Sequence, residues 1–162
     1  MPEDCRPLDN PEVGLSAPEL KANALRLLAM KAKKPIEQAK AFGLRGQLYH
    51  IYTLANYIFL DVGYENQTQL PYTIDQLRFS IEDKKVTKAS SVQSVPVQPV
   101  FVLQDIPGFD KHYRNIFVFK KLTFPGNKVF QIELSEKQLS GRTLALKVRY
   151  SDLLQADVLP GR

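Results

Sequence analysis

The residues of this 162-residue chain whose type and setting raise the question of metal binding or proton transfer are His50, His112, Asp61, Glu65 and the lone Cys5. His50 lies among strand-forming aromatics, and His112 lies in the charged stretch Asp110-Lys111-His112-Tyr113. Neither has carboxylates or a second imidazole at ligand spacing, so no zinc site is expected. Asp61 and Glu65 suggest paired acid–base chemistry. Four residues apart on a strand, however, they stand about 13 Å apart along it, too far to share a proton. Serine-nucleophile motifs, glycine-rich phosphate loops and an HExxH helix are absent. A single cysteine excludes an intrachain disulfide and a thiolate metal cluster, and its charged, proline-bounded surroundings read as an exposed thiol. Asn66-Gln67-Thr68 matches the glycosylation sequon, but turn chemistry accounts for it. The expectation is no catalytic residue, no metal, no cofactor and no enzymatic turnover.

The elements that would position these residues change rhythm near Gly43 to Gly46. Residues 1–15, with Pro2, Pro7, Pro11 and Gly14 among acids, read as a flexible lead-in or linker. Ser16 and Glu19 form a capping-box pattern around Pro18, which a first helical turn tolerates. The helix that follows is expected to bury Leu20, Ala24, Leu25, Leu28 and Ala32, with Arg26 and Lys33 opposite, and to stop or kink at Pro35. A shorter helical piece over 36–42 would stop at Gly43, making 16–43 a helical segment packed on the rest.

From Gly46 the apolar period is two. Strands are expected over 48–53, 58–64, 73–81, 116–122, 128–134 and 143–150. Turns are expected at Ala55-Asn56, Asp83-Lys84, Pro125-Gly126-Asn127 and Ser140-Gly141. Ile58, Leu60, Val62 and Tyr64 should share one face, with Phe59, Asp61 and Gly63 on the other. Pro96 and Pro99 confine residues 92–100 to an edge strand or an extended connection. Short strands at regular intervals give a mainly β chain: an antiparallel β-sandwich, Ig-like and two-layered, over 46–159, preceded by the N-terminal helix. Its alternating aromatics read as core.

The net charge of +5 is concentrated. Lys21, Arg26, Lys31, Lys33, Lys34, Lys40 and Arg45 face the single acid Glu37 within residues 21–46, so the remainder is near neutral. Such a stretch could ride on phosphates, anionic lipid or an acidic partner. Basic residues do not line the aromatics, so direct nucleic-acid binding is not expected. No run of about 18 apolar residues is present to span a membrane, and Met1-Pro2-Glu3-Asp4-Cys5-Arg6 does not read as an export signal.

Taken in order, the later segments resemble one family. The first part runs Gly46-Gln47-Leu48-Tyr49, Tyr64-Glu65-Asn66-Gln67-Thr68, then Pro71-Tyr72-Thr73-Ile74-Asp75-Gln76-Leu77-Arg78-Phe79-Ser80-Ile81-Glu82-Asp83-Lys84-Lys85. The second runs Phe117-Val118-Phe119-Lys120-Lys121-Leu122-Thr123-Phe124-Pro125, Lys128, Ile132-Glu133-Leu134-Ser135-Glu136, Gly141-Arg142 and Ser151-Asp152-Leu153-Leu154. Over residues 20–159 this series is similar to the C-terminal region of the conjugative-transposon TraN proteins of Bacteroides-type bacteria. The resemblance implies a structural subunit of a conjugative DNA-transfer apparatus, related to type IV secretion machinery, that binds other machinery proteins and could form a homo-oligomer. It further implies a periplasmic or outer-membrane-associated protein, held at the outer membrane through its partners. Because kin carry an export signal and an N-terminal β domain, the chain looks like an excised C-terminal domain. Residues 89–94 and the Pro96–Pro99 loop depart from the family pattern. The contact residues expected are Lys21, Arg26 and Lys33 on the basic helix and Val95, Val97 and Val100 on the edge. The alternative is a sandwich module that binds nucleic acid, carbohydrate or peptide.

Overall fold

The computed structural model describes residues 14–31, 34–84, 94–137 and 141–158. Cys5, Lys33 and the lead-in through residue 13 lie outside the described residues.

Helix α1 spans Ala17–Ala29 and opens on the expected capping box. The Glu19 amide donates to Ser16 Oγ at 3.3 Å, and the Ser16 amide donates to Glu19 Oε1 at 2.8 Å. Two expectations for this helix are corrected. It ends at Ala29, with Met30 as C-cap, well ahead of Pro35. Its buried stripe is Leu20, Ala24 and Leu27, while Leu25 is 47% exposed and Leu28 half-buried. Both follow from what the helix docks against, described below.

The strands are β1 (Glu37–Ala41), β2 (Leu44–Leu54), β3 (Tyr57–Asn66), β4 (Tyr72–Asp83), β5 (Ser94–Pro96), β6 (Phe101–Val102), β7 (Gly108–Phe109), β8 (His112–Lys120), β9 (Lys128–Glu136), β10 (Thr143–Arg149) and β11 (Asp157–Val158). A short helix α2, Tyr150–Leu154, follows β10. The first sheet runs β1-β2-β3-β8-β6, and β11 adds to β2 in parallel. The second runs β10-β9-β4-β5, and β7 pairs the start of β4. All pairings but that of β11 are antiparallel.

The helical piece expected over 36–42 is instead β1, paired with β2 from Glu37↔Leu48 to Ala41↔Leu44. Its burial alternates, with Glu37, Ala39 and Ala41 half-covered and Gln38 and Lys40 exposed. Phe42 and Gly43, at φ 55° and 76°, make the two-residue hairpin turn whose positive dihedrals match the strand twist. The helical segment expected over 16–43 is therefore helix only as far as Ala29.

Period-two alternation places two different cores on the two faces of the first sheet. Ile58, Leu60, Val62 and Tyr64 face the second sheet, and between the sheets Phe117 and Phe119 of β8 pack with Phe79 of β4 and Phe130 of β9, edge-on or offset at 4.9–6.1 Å. Tyr57 and Phe59, on the opposite face, lie under Leu20, Ala24 and Leu27 of α1 with Ile116 and Val118. The first sheet is thus buried on both sides, and the order of layers is helix, sheet, sheet. At about 1.5–3 kcal/mol for each large apolar side chain, the inter-sheet core dominates stability.

The sandwich is asymmetric at its sides. On one side the sheets meet, β10 lying alongside β1, and Arg149 Nε donates to Glu37 Oε2 at 2.8 Å. On the other, the segment 97–107 leaves the second sheet at β5 and crosses to β6 on the first.

Candidate functional site

Buried polar groups are where a sandwich core departs from packing alone, and beneath α1 two of them, His50 and Asp61, meet the partly exposed Arg114. His50 and Asp61 stand directly opposite each other on β2 and β3, just past a bulge at Tyr49. His50 Nδ1 lies 2.8 Å from Asp61 Oδ2, and the two residues are 5% and 0% exposed. From β8, Arg114 donates to the same carboxylate, Nε to Oδ1 at 2.8 Å and Nη2 to Oδ2 at 2.6 Å. This fork is bidentate and charge-assisted. The remaining Arg114 donors reach the Leu28, Leu27 and Met30 carbonyls at 3.2, 3.4 and 3.0 Å.

Carbonyls at a helix end run short of intrahelical donors and carry the negative end of its dipole; of these three, Leu27 also accepts the Met30 amide at 3.0 Å. Arg114 is therefore the C-terminal cap of α1, and its charge is balanced by Asp61. That cap ends the helix before Pro35 and fixes the rotation that buries Leu27 rather than Leu25.

A histidine held by a carboxylate is half of a nucleophile-activating set. Here His50 Nε2 is buried and meets no hydrogen-bonding partner among the described residues, so no described hydroxyl is poised for activation at that atom. The other expected carboxylate, Glu65, is half-buried and pairs with Arg45 at 3.9 Å. His112 is exposed at the start of β8. Among the described residues no group of three His, Cys, Asp or Glu is placed to hold a metal.

The sequon turn is a second polar hub. Asn66 is 2% exposed, and its amide donates to the Leu70 and Asp110 carbonyls at 2.6 and 3.0 Å. Arg142 grips Glu136 with Nε and Nη2 at 3.0 and 2.9 Å, and donates to Thr68 Oγ1 and to the Leu70 and Pro71 carbonyls. The Arg142 guanidinium holds the Glu136 carboxyl below the usual range for a glutamate. Asn66 is spent inside the fold, which accounts for the turn.

The expected contact residues are not gathered into one surface. Lys21 is exposed on α1, and Arg26 donates to Asn23 Oδ1 at 2.9 Å. Of the seven basic residues of 21–46, only these two lie on α1, together with Glu19. Lys31 and Lys34 are exposed in the connection, and Lys40 and Arg45 belong to β1 and β2. The basic stretch is therefore not one helical face. Tyr57 and Tyr64 are buried at 9% and 2%, and the Tyr49 ring lies 5.7 Å from the Arg114 guanidinium, so these rings do not form an open stacking platform.

Val95 and Val100 are 53% and 43% exposed, and Val97 is partly buried against the core. Of the three, Val97 alone lines a cleft of about 860 Å³ between the edge of β4 and the crossing segment 97–107; Val95 and Val100 are not among its lining residues. The segment is clamped to β8 by the fully buried Asn115. Asn115 Oδ1 accepts the Gln104 and Ile116 amides at 2.9 and 2.8 Å, and its Nδ2 donates to the Gln104 carbonyl and the Tyr113 hydroxyl at 2.6 and 2.7 Å.

Sequence reasoning did not single out Arg114, Asn115, Glu136 or Arg142 as fasteners, nor Leu77 and Asp75 at the cleft. One signal was present: Arg114-Asn115 breaks the apolar pattern between Tyr113 and Ile116–Phe119, as Asp61 interrupts its own strand. A polar residue at a core-parity position of a strand demands a buried partner.

Against known families, residues 19–158 match the model of a domain of unknown function (DUF4138). No curated protein and no solved structure matches the chain.

Proposed function

We propose that the chain, which belongs to the DUF4138 family, is a structural subunit of a conjugative DNA-transfer apparatus that holds other machinery proteins and turns over no substrate. The observation that carries this reading is the ordered residue series from Gly46 to Leu154, which resembles the C-terminal region of TraN proteins. The layered fold is compatible with the role. Several of its polar side chains are engaged in fastening: Arg114 and Asp61 fix α1, Asn115 fixes the crossing segment, and Arg142 fixes the 66–72 turn. An attachment module needs that rigidity, with an edge left accessible to partners. A periplasmic or outer-membrane-associated position, reached through partners, belongs to the same proposal.

The test is genetic and biochemical. Deleting the coding sequence in a donor strain should abolish transfer of the mobile element while growth is unchanged, and affinity capture from that donor should return other transfer proteins. Wild-type transfer frequency in the deletion strain would refute the proposal.

A further inference from the structure

We propose that the edge of β4 between Ile74 and Phe79 takes up an extended, basic peptide segment of a partner protein as an added strand. The inference deepens the assembly reading by naming a docking surface, but it rests on separate observations.

Among the described residues, strand β4 has neighbours along its free side at both ends and none between. At its start it pairs β7, and the Ile74 amide donates to the Pro107 carbonyl at 2.8 Å. Further along, the Phe79 carbonyl accepts the Val97 amide at 2.9 Å, and residues 80–82 pair β5. Residues 75–78 have no strand partner on that side among the described residues. Amide and carbonyl of one residue point the same way across a strand, and the direction reverses at each step. Leu77 therefore presents both groups outward, in the sense of Phe79. The gap has a cause in the sequence: after Val97 the chain carries Pro99 and heads across to β8, returning to β4 only at Pro107. A register shift between Ile74 and Gln76 bulges the strand at Asp75, so the regular open stretch is Gln76 to Phe79, three steps or about 10 Å at ~3.3 Å each, room for a short peptide segment.

The cleft beside this edge has chemistry that selects its occupant. Its lining holds four carboxylates (Asp75, Glu82, Asp105 and Glu133) and a single arginine, Arg78. Arg78 is already engaged by Glu133 at 3.1 Å. Asp75 and Asp105 are both exposed, and neither makes an ion pair among the described residues. In a chain of net charge +5, this local acidity favours a cationic segment over an acidic one. The floor is apolar, with Leu77 and Phe117 behind the edge. An added strand would place alternate side chains toward that floor and toward the carboxylates. A lysine- or arginine-bearing sequence with apolar residues between fits both.

The experiment uses the full chain and a fluorescent six-residue peptide alternating valine and lysine, read by anisotropy. Saturable binding is expected, weakened roughly tenfold or more when glutamate replaces lysine, the scale of one lost close charge pair. Methylating alternate backbone nitrogens of the peptide should abolish it. The double variant Asp75→Lys with Asp105→Lys, both at exposed positions, should reverse the preference between the two peptides. Binding that ignores charge or backbone methylation overturns the proposal, as does no saturable binding. Self-association of the chain that Leu77→Pro abolishes overturns it too, by assigning the edge to a second copy. In the donor strain the two readings separate. Normal transfer with the double variant sinks the edge alone, whereas normal transfer after deletion sinks the assembly role while leaving peptide binding to stand.

Discussion

At the residue scale, two side chains carry testable costs. Phe42 sits in the left-handed region at φ 55° and is 65% exposed, so it contributes little burial to offset a backbone that disfavours bulky residues. Its neighbour Gly43 supplies the second positive dihedral, and a Cβ there would meet Thr68 Cγ2 at 2.3 Å. Phe42→Asn creates the Asn-Gly pair that this hairpin turn prefers, and should raise stability by about 0.5–1 kcal/mol in urea unfolding. Gly43→Ala should lower it. Glu136 gives a pH dependence. Arg142 holds its folded pKa below the ordinary value of 4.5, so its contribution is present above that pH and lost as pH falls through the depressed value. Glu136→Gln should therefore cost stability at neutral pH and flatten the decline below pH 4.5, measured as urea midpoints across an acid series. Equal slopes in both proteins would remove Glu136 from acid unfolding.

At the element scale, α1 is held by its apolar stripe and by one arginine from a strand far along the chain. Arg114→Met strips the helix end of its cap and leaves Asp61 buried with only His50 beside it. Breaking a buried pair costs about 3–5 kcal/mol. A value near the lower figure is expected, since a quarter of the Arg114 side chain is exposed. Amide exchange should rise throughout Ala17–Ala29, and replacing both partners, Asp61→Leu with Arg114→Met, should recover part of the loss. Unchanged exchange in α1 would deny Arg114 its capping role.

This helix also shows where the sequence was legible. Its start was, because a capping box is local, confined to Ser16–Glu19. Its end was not, because the capping group lies some 85 residues away. Likewise β3 was readable face by face from its strict alternation. The stretch 36–42 was not, since Ile36, Ala39 and Phe42 imitate helical spacing and Phe-Gly imitates a helix stop. Pairing with β2 overrode both cues. The strands of the sandwich were local statements, whereas the clamps and the cleft depend on pairings between distant segments.

At the scale of the whole molecule, the sandwich has one sealed side and one bridged side, which should differ in how they open. Where β1 and β10 meet, the two sheets approach directly. Where β4 faces β8, the crossing segment 97–107 is held largely by the two residues of β6 and by Asn115. Proteins open in cooperative pieces whose free energies follow how much each piece buries. Asn115→Leu removes the clamp: the Ile116 amide and Tyr113 hydroxyl lose a partner, and the Gln104 amide and carbonyl are left to find water, a cost of about 1–3 kcal/mol per stranded group. Because the segment is near the surface and can detach alone, most of that cost should appear as local opening rather than global unfolding. Amides of Leu103 and Gln104 should exchange faster by one to two orders of magnitude, on the scale of about 1.4 kcal/mol per tenfold, while those of β2 and β10 keep their wild-type protection. Uniform loss of protection over both sheets would mean that the bridge is integral to the core. The open β4 edge would then be bounded by a fixed wall, and any strand added there would have to fit the cleft as it stands.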